Sequence, residues 1–150
     1  MAGGEPVNPR RDQAGLTLLE LVVVVSLVGV LLGLSYTWWQ GHVAQRQLQY
    51  GIVQVATDLR EAQERAKEAR RQYTVTFTGG SSAYVIAETG GGGFVENARL
   101  PGDVTATAND VVTFSPFGQP DAAHTITVQN ATGSGTIDVN ATGGIDYQLP

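Results

Sequence analysis

An apolar run of about 19 residues, 16–34, contains a single carboxylate, Glu20, and this run constrains the chain more than any other feature. A helix of that length can cross the hydrocarbon core of a bilayer. A carboxylate in lipid costs about 2.5 kcal/mol or more on insertion scales, so it is expected to have a partner of opposite charge. The run therefore predicts a membrane-anchoring helix in which Glu20 has a role.

The residues before the run predict its orientation. Residues 1–15 are polar and contain Pro6 and Pro9, so we interpret them as a leader and exclude them from the fold. Arg10 and Arg11 lie on the N-terminal side of the run, and the positive-inside rule places that end in the cytoplasm. An ordinary secretory signal would have a shorter apolar core followed by a small-residue cleavage site. A retained, single-pass anchor with the C-terminal part outside the membrane is favoured.

Three aromatic residues, Tyr36, Trp38 and Trp39, follow the apolar run. Aromatic side chains at this depth suit the membrane–water interface, because one edge of the ring is apolar and the other is wet. Packing against the head domain or against neighbouring subunits is the alternative for the same residues.

From Leu48 onward, apolar residues recur at alternating spacings of four and three, which places them on one side of a helix. The stripe consists of Leu48, Ile52, Val55, Leu59, Ala62, Ala66, Ala69 and Tyr73. Charged residues such as Asp58, Glu61 and Arg65 fill the other positions, and Glu61 and Arg65 form a favourable i,i+4 pair. We predict an amphipathic helix over residues 40–72 whose stripe packs on a β-sheet, with a coiled-coil seam as the alternative.

After residue 72 the apolar period changes to two, the period of β-strands. Strands are predicted at residues 73–78, 83–87, 104–107, 111–114, 124–128, 136–139 and 144–149. A head of about 78 residues buries a limited core alone, so the helix is expected to supply one wall of it. The predicted fold class is α+β, a long N-terminal helix, transmembrane and then amphipathic, packed against a small and mainly antiparallel β-sheet head. The predicted segments are a leader (1–15), a transmembrane and assembly helix (16–39), the amphipathic helix (40–72) and the β-rich head (73–150).

Cysteine content and charge exclude several kinds of function. The chain has no cysteine, so disulfide and thiol chemistry are impossible. Beyond residue 72, Arg99 is the one basic residue against seven Asp and Glu, which gives the head a formal charge of −6. Such a head repels phosphates at long range, so nucleic-acid binding is not expected.

No constellation of catalytic or metal-binding residues is recognisable in the sequence. The two histidines, His42 and His124, have no evident partners, and we interpret them as solvated or structural. The serines have no nucleophile-elbow context, and no calcium loop is evident. The repeated segments Asn-Ala-Thr-Gly, which begin at Asn130 and Asn140, are predicted to be turns and not glycosylation sites. We predict no enzymatic activity, no metal and no cofactor.

The segment Gly15–Leu21 and its basic flank resemble the class III signal of type IV prepilins and type II secretion pseudopilins. The resemblance implies that prepilin peptidase cuts after Gly15 and methylates the new N-terminal amine of Leu16. It also implies that Glu20 pairs with this amine on a neighbouring subunit, which makes both charges tolerable in hydrocarbon. Leu16 departs from the Phe or Met most often found at that position in the family. From its position alone, Glu20 could instead be solvated at the membrane surface.

Residues 112–118, Val-Thr-Phe-Ser-Pro-Phe-Gly, resemble the F-x-P-x-G segment of the GspH/FimT type of minor pseudopilin. From its composition alone, the segment could be an ordinary proline-glycine turn after an edge strand. Some FimT-like proteins bind DNA through a C-terminal G-R-x-R segment. The corresponding residues 143–147 have no arginine and include Asp146, which again makes DNA binding unexpected.

Together these resemblances imply a minor pilin or pseudopilin that is inserted in the bacterial inner membrane with its head in the periplasm. It would then join a pilus or pseudopilus through its N-terminal helix, with other pilins or pseudopilins as partners. A filament-displayed binding module, either an adhesin or a DNA-uptake pilin, is the alternative.

Overall fold

The computed structural model describes residues 17–90 and 93–150, except for the side chains of residues 35–40. The chain divides into two compact units, Met1–Trp38 and Trp39–Pro150. Within these described residues, one helix, α1 (Leu18–Ala69), is followed by eight strands. The strands are β1 (Gln72–Phe77), β2 (Ala83–Thr89), β3 (Val95–Arg99), β4 (Thr105–Ala106), β5 (Asp110–Phe114), β6 (His124–Asn130), β7 (Gly133–Val139) and β8 (Ile145–Gln148). The predicted α+β fold class is confirmed.

The C-terminal end of α1 is a left-handed cap. Arg70 adopts a positive φ of 52°, and the backbone N–H of Arg71 donates to the carbonyl of Ala66 at 3.2 Å. This six-to-one bond is the signature of a Schellman cap, which stops a helix and turns the chain away from it. The helix therefore ends at Ala69, three residues before the predicted boundary at residue 72, and Gln72 already belongs to β1.

The eight strands of the described residues form two antiparallel sheets of four strands each, whereas one sheet was predicted. The first sheet has the order β3-β2-β1-β5, and the second has the order β4-β6-β7-β8. In the first sheet Val75 lies opposite both Ile86 and Val112, so the apolar faces of three strands are in register. Strands of period two must bury one face, and this register places all three apolar faces on the same side.

The apolar core of the second unit lies between α1 and the two sheets. The stripe from Leu48 to Ala66 is fully buried, as are alternate residues of both sheets. Two of the predicted members differ: Ala69 is exposed, and Tyr73 is buried as part of β1 instead of the helix. The prediction that the stripe packs on β-structure is confirmed.

Two strands differ from the prediction because they lie at sheet edges. Strand β3 (Val95–Arg99) was missed because four of its five residues are exposed, so its sequence has no apolar alternation. It is nevertheless paired with β2 along its whole length. The strand predicted at residues 104–107 is reduced to the two residues of β4, which pair with β6. Short edge strands of this kind limit unwanted pairing with other chains.

Candidate assembly site

The first turn of α1 contains the carboxylate that the sequence analysis singled out. The Thr17 hydroxyl oxygen accepts a hydrogen bond from the backbone N–H of Glu20 at 3.2 Å, and the Thr17 carbonyl accepts one from Leu21 at 3.1 Å. Thr17 is therefore the N-cap, and Glu20 lies three positions after it, the spacing of a capping box. A carboxylate at this position also interacts favourably with the positive end of the helix dipole. The Thr-x-x-Glu spacing of Thr17 and Glu20 is a sequence signal for this cap, and the cap was not predicted from it.

The surface around Glu20 is apolar on every side of the helix. From Leu18 to Leu34 the large apolar side chains are between 47% and 80% exposed. The hydroxyl of Ser26, a polar residue within this stretch, donates to the carbonyl of Val22 at 2.7 Å, which satisfies it locally. A helix that is apolar all round is stable only when lipid or other protein covers it. Within the part of the chain that the structure describes, no helix is both long and apolar enough to span a membrane.

The structure describes only one of the three residues predicted to act in processing and assembly. Gly15 and Leu16 lie outside the described residues, as do the side chains of Tyr36 and Trp38 to Trp39. Glu20 is exposed and has no ion-pair partner within the described part of the chain. Its predicted pairing with an amine of another subunit stays a prediction.

A second carboxylate of α1 contacts the first sheet. Asp58, assigned to the charged side of the helix in the sequence analysis, is half-buried and accepts a short hydrogen bond from the Tyr84 hydroxyl. Gln54 donates to the same hydroxyl at 3.1 Å and to the Arg99 carbonyl at 3.0 Å. Burial raises the pKa of Asp58 above its ordinary value, although the Tyr84 hydrogen bond opposes the rise. Burial and the bond to Asp58 also raise the pKa of the Tyr84 hydroxyl.

His124 has two partners that the sequence analysis did not find. Its Nδ1 lies 2.9 Å from Asp110 in β5, and its Nε2 lies 3.1 Å from Asp121 in the loop between β5 and β6. Burial raises the pKa of Asp121, but hydrogen bonds from the Thr113 backbone and from His124 outweigh it and hold that pKa below its ordinary value.

This cluster joins strands of the two different sheets. Asp110 begins β5 in the first sheet, and His124 begins β6 in the second sheet. These contacts agree with the interpretation of His124 as structural. The expectation that His124 has no partners was wrong. The one sequence signal was the i,i+3 spacing of Asp121 and His124. Asp110 comes near them only through the chain reversal between β5 and β6.

The F-x-P-x-G segment is a tight turn at the end of β5. Phe114 is fully buried, whereas Phe117 is 84% exposed at the tip of the turn. The N–H of Gly118 donates to the Ser115 carbonyl at 2.8 Å, and Gly118 has a φ of 77°. A side chain is disfavoured there by this φ, and a Cβ would also collide with the side chain of Lys67.

The two Asn-Ala-Thr-Gly segments are turns of the same construction, as predicted. In each, the asparagine side-chain oxygen accepts hydrogen bonds from the backbone N–H and the hydroxyl of the threonine two residues later. Asn130 also donates to the Ala44 carbonyl at 2.7 Å, which ties that turn to α1. Within residues 17–90 and 93–150, no group of three histidine or carboxylate residues is placed to hold a metal ion.

Known proteins match the chain at its N-terminus and in its fold. A family model described as the prokaryotic N-terminal methylation motif matches residues 10–36. The structure also matches the type IV minor pilin FimU of Pseudomonas aeruginosa with a TM-score of 0.56 and 16% identity, over 69% of this chain and 89% of FimU. The chain has a pilin-like fold. A second crystal form of FimU matches the pilin-like chain with a TM-score of 0.54 and 18% identity, over 67% and 92% of the two chains.

The two kinds of match cover different properties. The motif match lies over the segment that contains Gly15, Leu16 and Glu20, whereas the likeness to FimU concerns the fold. A search of curated protein sequences finds no match for the pilin-like chain.

Proposed function

We propose that the chain is a minor pilin or pseudopilin of the GspH/FimT type, a structural subunit of a type IV pilus or a type II secretion pseudopilus. The observation that carries this proposal is the methylation motif over residues 10–36. The minor-pilin-like fold and the Phe-Ser-Pro-Phe-Gly turn support it. The chain is then a substrate of prepilin peptidase and not itself an enzyme.

In this proposal the processing and assembly residues act in sequence. The peptidase cuts after Gly15 and methylates the amine of Leu16, and Glu20 then pairs with that amine on a neighbouring subunit. Pairing lowers the cost of holding either charge in hydrocarbon, because each neutralises the other. Before assembly the chain is anchored in the inner membrane by residues 16–39, with its head in the periplasm. The exposed apolar surface from Leu18 to Leu34 supports such an anchor.

The cleavage site is tested by replacing Gly15 with valine in a strain that contains prepilin peptidase. We expect the Gly15→Val precursor to stay uncut, about 1.5 kDa larger than the mature chain on a gel (15 residues at roughly 0.1 kDa each). Gly4→Val, in the same leader, is the matched control and should be cut normally. Normal processing of Gly15→Val would reject the proposal.

The role of Glu20 is tested separately by Glu20→Gln. This variant should be cut and methylated like the natural chain, but it should be lost from sheared filaments. Glu68→Gln, an exposed carboxylate later on the same helix, is the control and should be incorporated normally. If Glu20→Gln and Glu68→Gln enter filaments equally, Glu20 serves only to stabilise the first turn of its own helix.

Membrane anchoring has an independent test. The full chain should resist extraction by alkaline carbonate, and protease added to spheroplasts should degrade its head. Release of the chain by carbonate would show that residues 16–39 do not anchor it.

The alternative is a filament-displayed binding module, and the exposed Phe117 is the observation that favours it. Pull-down with the full chain in detergent, against other pilins and against DNA, separates the two functions. We expect other pilins to be retained and DNA not to be, because the head carries one basic residue against seven acidic ones. A DNA mobility shift at submicromolar protein concentration would favour the DNA-uptake alternative.

A further inference from the structure

The two Asn-Ala-Thr-Gly segments have the same sequence, but they leave their asparagines in different environments. Asn-x-Thr is the acceptor sequence, or sequon, for N-linked glycosylation, so each segment contains one sequon. The sequence alone predicts a turn and no glycosylation at either segment. Both turns are present, and the surroundings of the two side chains now distinguish the asparagines as acceptors.

Asn130, at the turn between β6 and β7, has its side-chain nitrogen in contact with α1. This nitrogen, Nδ2, donates to the Ala44 carbonyl at 2.7 Å, and the residue is half-buried. A sugar on this nitrogen would have to fit between the turn and the helix, which are in hydrogen-bond contact there. The fold therefore protects Asn130 from modification.

Asn140, at the turn between β7 and β8, is exposed, and so are the other two residues of its sequon. Its Nδ2 donates to no group in the described part of the chain. A Cβ at Gly144 would lie 2.5 Å from this nitrogen, so the lack of a side chain at Gly144 keeps the space beside it open. The Nδ2 of Asn140 is therefore accessible to a reagent, whereas that of Asn130 is occupied.

The oxygen of the Asn140 amide has three donors. It accepts hydrogen bonds from the Thr142 N–H at 3.0 Å, from the Thr142 hydroxyl at 2.6 Å and from the Gly144 N–H at 2.8 Å. Because these donors polarise the amide group, the protons on Nδ2 become easier to remove. The same bonds fix the orientation of the side chain, so the nitrogen is held in its open position.

We propose that Asn140, and not Asn130, is an acceptor for N-linked glycosylation, with a lipid-linked glycosyl pyrophosphate as the sugar donor. Nδ2 attacks the anomeric carbon of the sugar, and the new N–C bond forms as the bond from that carbon to the pyrophosphate oxygen breaks. The pyrophosphate leaves with the electron pair of that bond, and Nδ2 gives one of its two protons to a base of the transferase. This inference rests on the proposed function, because the head must lie outside the inner membrane to meet such a donor.

Glycosylation of the folded full chain in detergent tests the proposal. The chain is incubated with a purified oligosaccharyltransferase and a lipid-linked sugar, and the modified residues are identified by peptide mass spectrometry. The enzyme is one that accepts Asn-x-Thr whatever residue lies two positions earlier, because Asp138 and Val128 differ there. We expect a glycopeptide that contains Asn140. Occupancy at Asn130 should be lower by about tenfold, since its nitrogen must first give up a hydrogen bond.

Peptides of residues 125–135 and 135–145 separate the effect of the fold from that of the local sequence. Each contains one sequon without the surrounding structure, so the two peptides should be modified to similar extents. In the folded chain, Asn140→Gln should abolish the modification, and Asn130→Gln is the matched control that should leave it unchanged. Thr142→Val should also abolish it, because the hydroxyl of the sequon is removed.

The inference is overturned if the folded chain stays unmodified at Asn140, or if Asn130 and Asn140 are modified equally. Modification that persists in Asn140→Gln would overturn it as well. The proposed function is judged separately, by cleavage after Gly15 and by protease digestion of the head in spheroplasts. If both of those tests succeed and Asn140 stays unmodified, the glycosylation site alone is rejected.

Discussion

The two parts of α1 use apolar residues in opposite ways. From Leu18 to Leu34 the large apolar side chains surround the helix and are all exposed, whereas the apolar stripe from Leu48 to Ala66 is fully buried. Each part also contains a distinctive carboxylate. Asp58 accepts a hydrogen bond from Tyr84 within the chain, while Glu20 has no ion-pair partner within the described residues.

The difference shows where each part finds its stabilising contacts. The later part packs against the two sheets, so its buried apolar residues are confined to one stripe of the helix. The earlier part has no such stripe; under the proposed function, lipid and neighbouring helices would cover it on any side. We therefore expect substitutions in the later part to affect the stability of the head. Substitutions in the earlier part should affect anchoring and assembly.

The largest expected effect comes from removing apolar volume in the buried stripe. Leu59 is fully buried, and Leu59→Ala should lower the free energy of unfolding of the head by about 2–5 kcal/mol, through lost transfer energy and a cavity. Leu27→Ala makes the same chemical change at a residue that is 60% exposed, and it should change that free energy by about 0.5 kcal/mol or less. Denaturant unfolding of the full chain in detergent measures both. Equal effects would remove the distinction between the two parts.

Glycine substitutions compare the same two parts by adding volume. In β7, a Cβ at Gly135 would collide with the Cδ1 of Ile52, so Gly135→Val should cost about 1–3 kcal/mol by overpacking. In the earlier part of α1, a Cβ at Gly29 meets nothing within 4 Å. Gly29→Ala should therefore leave head unfolding unchanged and favour the helix locally by about 1 kcal/mol. If Gly29→Ala prevents incorporation into filaments, a neighbouring helix packs against that position.

The buried carboxylate predicts a particular dependence on pH. Because burial raises the pKa of Asp58 in the folded state, its contribution to stability is complete below the unfolded pKa near 3.8 and is lost as the pH rises through the folded value. Tyr84→Phe removes the hydroxyl that donates to Asp58 and that opposes the rise in the pKa of Asp58. The variant should lose about 1–3 kcal/mol at neutral pH, and its stability should fall more steeply above about pH 4.

Asp58→Asn is the control for this effect. It keeps an oxygen that accepts from Tyr84 and removes the charge, so this part of the pH dependence should disappear. Urea unfolding between pH 4 and pH 7 measures all three proteins. An unchanged pH profile in Asp58→Asn would show that burial does not shift the titration of this carboxylate.

The smallest expected effect comes from the cluster that joins the two sheets. His124→Gln should cost about 1 kcal/mol at neutral pH, because one amide nitrogen cannot take the positions of both ring nitrogens beside Asp110 and Asp121. The lowered pKa of Asp121 contributes stability that is present above its unfolded pKa, near 3.8, and is lost as the pH falls through the folded value. The difference between His124→Gln and the natural chain should therefore shrink below about pH 4. A difference that stays constant down to pH 3 would mean that the two carboxylates do not contribute through His124.

The parts of the fold that could be predicted are those with a strong local pattern. The spacing of the stripe from Leu48 to Ala66 predicted the buried face of α1, and alternation predicted most strands. Strand β3 has no such pattern, because an edge strand exposed on both faces imposes no apolar period. The division into two sheets was also missed, since alternation indicates which face is buried but not which strand lies alongside.

The candidate site divides in the same way. The segment around Glu20 was recognisable because its elements lie within a few residues of one another, and the Asn-Ala-Thr-Gly turns were recognisable for the same reason. Asp58 and its partner Tyr84 are 26 residues apart in the sequence. His124 and its partner Asp110 are 14 residues apart. No local spacing encodes such contacts, because they exist only after the sheets have formed.

The sequence by itself determined the α+β class, the apolar N-terminal run with its one carboxylate, the buried side of α1 and the acidic character of the head. These properties follow from composition and from periods of two and of three to four residues, which are local quantities. Tertiary structure alone decided that there are two sheets, that Asp58 and His124 have partners, and that Phe117 is exposed while Phe114 is buried. Each of these depends on which distant segments approach one another, and that is set by the packing of the whole core.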